Sequence, residues 1–414
     1  MRTITEVANM LPTMKTGNQL ISALTVLPEY DVSICNENEA IRLMALSDIY
    51  KIYIPSKMSQ EIYSKLYLAL LRSLMKKGTQ LATEQQKQNF RAIMNQEYSG
   101  IIGGSDSFTI VGTSGIGKSS AISRAINLIT ENNVLEIEEP YAKIIPCLSV
   151  QCPFDCSVKG LLLEILRKVD EILGCNYYQS ALRKKSTTDT LIGCVSQVAL
   201  NHIGLLVVDE IQNVVNSKNG RILVGALTQL INNSGISICM VGTPESSIFF
   251  EQAMQLARRS LGLQYGAMEC GIEFHEICNI LFVYQYVKQR TDISNTIIEW
   301  LYEHSAGIIS VVASLIHDAQ EIAILTGKEI LNLETLNEAY QKRLSLLHNY
   351  IQPAIKKKGQ TSKVKGKVSV GDIEIKKTDV EVIKISELVT MAKKEERDIV
   401  LLLKQHMAVE EVII

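Results

Sequence analysis

Short apolar runs alternate with longer helical periods through the middle of this chain. Phe108 to Val111, Ile144 to Val150, Leu205 to Val208 and Ile236 to Val241 are short, mostly apolar runs that look like buried strands. Strands of that kind separated by helical stretches predict an α/β domain with a parallel sheet. Before it, residues 1–100 read as irregular segments followed by a helix from Met58 to Met75, where Ile62, Leu66, Leu70 and Leu74 recur every fourth position. After it, from His275 to about Tyr350, the strand signals stop. Helical periods follow one another, as in Ile297, Leu301 and His304, then Val311, Leu315 and Ile316, and predict an all-helical lobe. Pro353 ends the last helix, and Lys356-Lys357-Lys358 with Lys363, Lys365 and Lys367 reads as a basic linker to a small helical tail, Glu381 to Ile414. The division expected is an N-terminal extension over 1–100, an α/β core over 101–274, a helical lobe over 275–352 and a linker with tail over 353–414.

Composition narrows the class of partner without choosing one. The chain has 414 residues, 46% hydrophobic and 21% charged, which is ample for a buried core without staples. With 42 basic and 44 acidic side chains the net charge is -2, so any nucleic-acid site is a local patch on a near-neutral body. The nine cysteines follow no framework of even spacings, and no secretory signal opens the chain, which points to a reducing cytoplasm. Cys152 and Cys156 lie four apart with no second pair at zinc spacing, so buried thiols are expected there. No run approaches the ~18 apolar residues of a membrane span.

The chemistry sits at strand ends. Gly112-Thr113-Ser114-Gly115-Ile116-Gly117-Lys118-Ser119 is a complete Walker A sequence between the first strand and the helical run Ser120 to Ile129. Its glycines let successive N–H groups turn inward, and the following helix adds its positive end for phosphate oxygens. Lys118 then reaches the outer phosphates of a nucleotide, and the Ser119 hydroxyl is a ligand for Mg²⁺. Leu205-Leu206-Val207-Val208 ends in Asp209-Glu210, which delivers one carboxylate to the metal and a second to the attacking water. The next strand ends in Gly242-Thr243-Pro244-Glu245. There Thr243 either senses the γ-phosphate or simply caps a helix entered through Pro244. Arg258 and Arg259 have two readings as well: cations favoured at a helix C-terminus, or one guanidinium inserted into a neighbouring subunit's site.

Walker A, a strand ending in Asp-Glu, a polar residue ending the next strand, a late arginine pair and a helical lid together resemble an AAA+ ATPase. More narrowly, Val207 through Asn213, Met240 through Glu245 and Leu256 through Arg259 resemble the TnsC/TniB transposition ATPases, especially TnsC. Val150-Gln151-Cys152 through Tyr178 is similar to TnsC too. The resemblance implies an AAA+ P-loop fold with a helical lid and an ATP- and Mg²⁺-dependent regulator of transposition. Such a regulator assembles as a ring or helical filament, hexameric or heptameric, on double-stranded DNA and links a target-selecting protein to the transposase.

The implied roles are phosphate contact from the loop through Lys118, Ser119 and Ser120, metal and water at Asp209 and Glu210, a sensor at Thr243, and Arg258 or Arg259 in trans. Candidate DNA contacts are Lys159 and Arg183-Lys184-Lys185, each also readable as solvated surface charge. One departure is visible: from Ser305 to Gln320 the lid carries no Arg or Lys where many AAA+ proteins place a second sensor. The alternatives within reach of the same motifs are another AAA+ DNA remodeller, such as a helicase loader, and a nucleotide-gated scaffold with little turnover.

Overall fold

The protein is described by a computed structural model over residues 9–77, 107–131, 134–137, 142–183, 187–214, 220–246 and 262–344. These residues lie within one compact unit, Met1–Lys356, and the linker and tail predicted beyond Pro353 are outside the described residues.

The predicted strands are present as β1 (Phe108–Gly112), β3 (Ala142–Gln151), β4 (Ile203–Asp209) and β5 (Ser237–Gly242). Two three-residue strands are added at the edges, β2 (Leu135–Ile137) and β6 (Leu263–Tyr265), giving the order β2-β3-β4-β5-β1-β6. Only the β2–β3 pairing is antiparallel; β3–β4, β4–β5, β5–β1 and β1–β6 run parallel. The fold is thus mixed α/β around a mostly parallel sheet, as the apolar runs predict.

Successive residues of each strand enter opposite cores. Leu206, Val208, Ile238 and Met240 pack against α5 (Val158–Leu173), α7 (Thr188–His202) and α8 (Gly220–Ser234). Leu205, Val207, Cys239 and Val241, with Phe108 and Ile110, meet α1 (Gly17–Leu24), α3 (Lys57–Lys77) and α4 (Lys118–Thr130) on the other face. Both faces are therefore covered, which is why these strands read as mostly apolar runs rather than as alternating ones.

Helix α3 matches the predicted Met58–Met75 period, and Ile62, Leu66, Leu70 and Leu74 are each 0% exposed. It is a layer of the domain. Its approach to β4 is close: a Cβ on Gly204 would lie 2.6 Å from Leu70 Cδ1 and 2.5 Å from the Pro146 carbonyl oxygen. Ser73 donates to the Gly204 carbonyl at 2.6 Å and fixes the helix in that position.

The helical lobe comprises α9 (Ile272–Val283), α10 (Asn295–Ser305), α11 (Ile309–Leu325) and α12 (Leu333–Arg343). Ser294 caps α10, and Asn332 with Thr335 forms a capping box on α12. Among the described residues no single helix is long and apolar enough to cross a membrane. Helices α10 and α11, apolar when taken together, are bent 118° to each other, and Ile298, Leu301, Val312, Leu315 and Ile316 fill the lobe's own core.

The N-terminal segment reaches this lobe as well. Leu46 and Ile49, just after α2 (Glu39–Ala45), are buried in its core. Arg42 of α2 is 2% exposed and makes two bonds to Glu329, at 2.6 and 2.7 Å, with further bonds to the carbonyls of Tyr286 (3.0 Å) and Glu37 (3.1 Å). That two-pronged bond holds the Glu329 carboxyl below the usual carboxylate range. Removing one partner of a buried pair leaves the other unpaired, at a typical cost of about 3–5 kcal/mol. Arg42→Ala is accordingly expected to lower unfolding stability by about that amount, read by chemical denaturation. Because the Glu329 value is depressed in the folded state, the pair's contribution is complete above the ordinary carboxylate range. It fades as pH falls through Glu329's own value, and Glu329→Gln is expected to flatten that acid limb.

Candidate functional site

Parallel pairing brings the carboxyl ends of β1, β4 and β5 to one edge of the sheet, because β5 lies between the other two. From that edge Ser114, Gly115, Gly117, Lys118, Ser119 and Ser120, Asp209 and Glu210, Gly242 and Thr243 converge on one pocket of about 270 Å³. The sequence-predicted residues of the loop, the acidic strand end and the polar strand tip are therefore neighbours. Gly112, Thr113 and Ile116 belong to the same loop: the first two supply carbonyls to Lys118, and Ile116 turns to the adjoining cavity described below.

The loop's curl depends on left-handed backbone at Gly115 (φ 81) and Gly117 (φ 94), and Gly117 is the N-cap from which α4 starts. Lys118 is folded back onto the loop, with Nζ donating to the carbonyls of Gly112 at 2.6 Å and Thr113 at 2.8 Å. Burial pushes its ammonium below the usual lysine value, while Asp209, Glu210 and Glu245 pull the other way. A cation so desolvated has a strong preference for an anion placed against it. The Ser119 hydroxyl donates to Asp209 Oδ2 at 2.7 Å. These two hard oxygens, side by side next to the phosphate loop, are the donor chemistry that Mg²⁺ takes, so the residues present fit that ion.

Glu210 is exposed and has a left-handed backbone (φ 59); its N–H donates to Asp209 Oδ1 at 2.8 Å. Gln212, on the 3₁₀ turn Ile211–Val214, donates from Nε2 to Glu210 Oε2. Thr243 is hydrogen-bonded through its side chain to Glu245, which holds that carboxyl below the usual carboxylate range. Pro244–Ser246 forms a 3₁₀ turn, and the Thr243 carbonyl accepts from Ser246 N at 3.0 Å.

The motif reading left aside several residues near the loop. A second cavity of about 260 Å³ opens beside Gly115, Ile116 and Gly117. Its walls come from Tyr50, Ile52 and Ile54 of the N-terminal segment and from Ile277, Leu281, Ile309 and Ala313 of the lid. The slot is apolar and adjoins the phosphate loop, a lining of the kind that flat aromatic ligands take. Tyr53 anchors the N-terminal wall: its backbone pairs with Val26, its hydroxyl meets Ser59 at 2.8 Å, and the Arg124 guanidinium of α4 lies 4.3 Å from its ring centre.

Ser310 belongs to both cavities, and its N–H reaches the Gly115 carbonyl at 3.4 Å. The lid thus presents the N-terminus of α11 to the loop, with no acidic residue in its first turn, where a basic sensor side chain is missing. The alternating Ile52-Tyr53-Ile54 before Pro55 was the only available signal for this wall, and it is too short to stand out.

The remaining predicted residues lie elsewhere. Lys159 is exposed in the first turn of α5, behind the Ser157 cap, and Arg183 is exposed at the last residue of α6 (Tyr177–Arg183). Neither lines the phosphate pocket. Lys184, Lys185, Arg258 and Arg259 lie outside the described residues. All nine cysteines are free, and Cys152 and Cys156 are buried thiols as expected.

At Gly115 loop and lid are in contact, since an added Cβ would lie 2.6 Å from Ser310 Oγ and 2.9 Å from Ile308 Cγ2. Gly115→Ala also meets a left-handed backbone, so it is expected to weaken nucleotide binding by about tenfold or more, measured by calorimetric titration.

The family model described as bacterial TniB protein matches residues 89–262. None of the curated proteins matches the chain. Among solved structures, the Aeropyrum pernix ORC2 protein in its ADP form is similar at 17% identity over 63% of this chain, with a TM-score of 0.40; this chain spans 67% of that one. Drosophila ORC bound to DNA is similar at 13% identity over 80% of this chain and 70% of that one, with a TM-score of 0.41. Domain III of the Thermotoga maritima replication initiation protein DnaA is similar at 12% identity over 66% and 94%, with a TM-score of 0.35. The segment similar to the bacterial TniB protein family contains the phosphate loop, the Asp209-Glu210 strand end and the Thr243 strand tip.

Proposed function

We propose that the protein is an ATP-hydrolysing regulator of DNA transposition of the TnsC/TniB type. In this reading it oligomerises on double-stranded DNA, links a target-selecting protein to the transposase, and hydrolyses ATP to disassemble. The observation that carries the reading is the single pocket in which Lys118, Ser119, Asp209, Glu210 and Thr243 meet, within the TniB-matched segment.

Lys118 exchanges its two carbonyl acceptors for phosphate oxygens, and the loop N–H groups and α4 N-terminus surround the rest of the triphosphate. Ser119 and Asp209 hold Mg²⁺, which supplies charge neutralisation at the outer phosphates. Glu210 accepts a proton from the attacking water, and Thr243 orients that water or the γ-phosphate. The cavity between Tyr50 and Ala313 receives the base. Arg258 or Arg259 of a neighbouring copy completes the site in trans, which ties turnover to assembly. Lys159 and the Arg183-Lys184-Lys185 stretch contact DNA phosphates, repeated around the assembly by symmetry, so binding is weakly dependent on sequence.

Steady-state ATPase assays with and without duplex DNA test the enzymatic half of this reading. Glu210→Gln is expected to keep nucleotide affinity, lower turnover by about 10²-fold or more, and prolong DNA-bound assemblies, whereas Lys118→Ala loses nucleotide binding itself. Unchanged turnover in Glu210→Gln would overturn the mechanism. DNA affinity should fall with salt, and Lys159→Ala should reduce the slope of log affinity against log salt by about one. Electron microscopy with duplex and a non-hydrolysable ATP analogue tests assembly; material that stays monomeric under those conditions counts against it.

A further inference from the structure

Glu210 poses a positioning problem that its own element does not solve. Its side chain is exposed, it projects from a left-handed residue just past the end of β4, and its sole hydrogen-bond partner among the described residues is Gln212. A long, solvent-exposed carboxylate samples many rotamers, and a general base has to be held in one orientation toward the proton it takes.

Gln212 stands on a firm base. It belongs to the 3₁₀ turn in which Ile211 is fully buried. The next residue is tied twice: Asn213 donates from Nδ2 to the Cys152 carbonyl at 3.1 Å and from its backbone N–H to the Glu210 carbonyl at 3.1 Å. From that turn the carboxamide binds Glu210 Oε2, and among the described residues no side chain donates to Oε1. The other end of the carboxamide points at the sensor strand. Gln212 Oε1 is buried with no hydrogen-bond partner among the described residues, and a Cβ on Gly242 would stand 3.2 Å from it. The bare backbone at the tip of β5, one residue before Thr243, makes room first for Ile211 Cγ2 and Ser246 Oγ, at 2.7 and 2.8 Å from such a Cβ, and also for this amide.

We propose that Gln212 is the positioning residue for Glu210. Its amide fixes one carboxylate oxygen and presents the other to the attacking water, while its buried carbonyl seats the assembly against the Gly242–Thr243 tip. This is the arrangement of a base oriented by a third group, and it rests on the ATPase reading above.

The test compares Gln212→Ala and Gln212→Met with the unaltered protein, singly and on a Glu210→Asp background. The shortened carboxylate of Glu210→Asp no longer reaches the amide. Gln212→Met keeps the side chain's length while removing its donor and adds no charge beside Glu210, so it remains informative if truncation to Ala disturbs the turn. Both variants are expected to lower kcat by about 10²-fold. KM, and the Kd for a non-hydrolysable ATP analogue, should stay within about twofold, and the melting temperature should not change. On the Glu210→Asp background the same changes are expected to have no further effect. Unchanged kcat in both variants, or an equal fall on the Glu210→Asp background, would overturn the assignment. Lack of any turnover in the unaltered protein would instead sink the ATPase reading and leave nothing for Gln212 to position.

Discussion

Parallel strands all deliver their carboxyl ends to the same edge, and that constraint organises this molecule. With β5 between β1 and β4, the phosphate loop, the Asp209-Glu210 pair and Thr243 arrive together although they are spread from Gly112 to Thr243 in the chain. The arrangement works only because both faces of the sheet are covered. The buried strands are mostly apolar before the edge, and carboxylates appear where the backbone leaves the core: Asp209 is half-buried while the six residues before it are buried. Chemistry is displaced to the rim by the requirements of the core.

The N-terminal segment joins what would otherwise be two cores. Its α3 lies on β4 through Leu70 and Ser73, and Leu46, Ile49 and Arg42 belong to the lid. Between these anchors runs Tyr50–Ile54, which walls the apolar cavity. A stretch that sequence alone treats as an appendage is a structural part of both lobes. The buried Arg42–Glu329 pair matters because a guanidinium in an apolar lid is tolerable only with its carboxylate opposite, so the strap has one way to seat.

What the sequence made legible, and what it hid, follows from how local each signal is. β1, β3, β4 and β5 were readable because burial on both faces writes a mostly apolar run, and α3 because Ile62, Leu66, Leu70 and Leu74 recur every fourth position. The edges β2 and β6 were hidden because three residues carry no periodicity. Within the site, the loop, Asp209-Glu210 and Thr243 were readable since phosphate and metal chemistry admits few residue types at those spacings. The apolar cavity was not. Its walls are ordinary aliphatic and aromatic residues from three distant segments, and nothing marks Ala313 or Ile54 until folding brings them beside Gly117. Gln212 was visible as a letter of a motif but not as a contact, because its meaning depends on the 3₁₀ turn that aims it at Glu210.

The shared wall of the apolar cavity has a thermodynamic corollary. Anything that fills the space between Tyr50 and Ala313 touches strap, phosphate loop and lid together, so its binding energy is inseparable from the free energy of keeping those three parts closed. By linkage, a partner that favours the closed strap raises the affinity of whatever fills the cavity, and is itself held more firmly by the same factor.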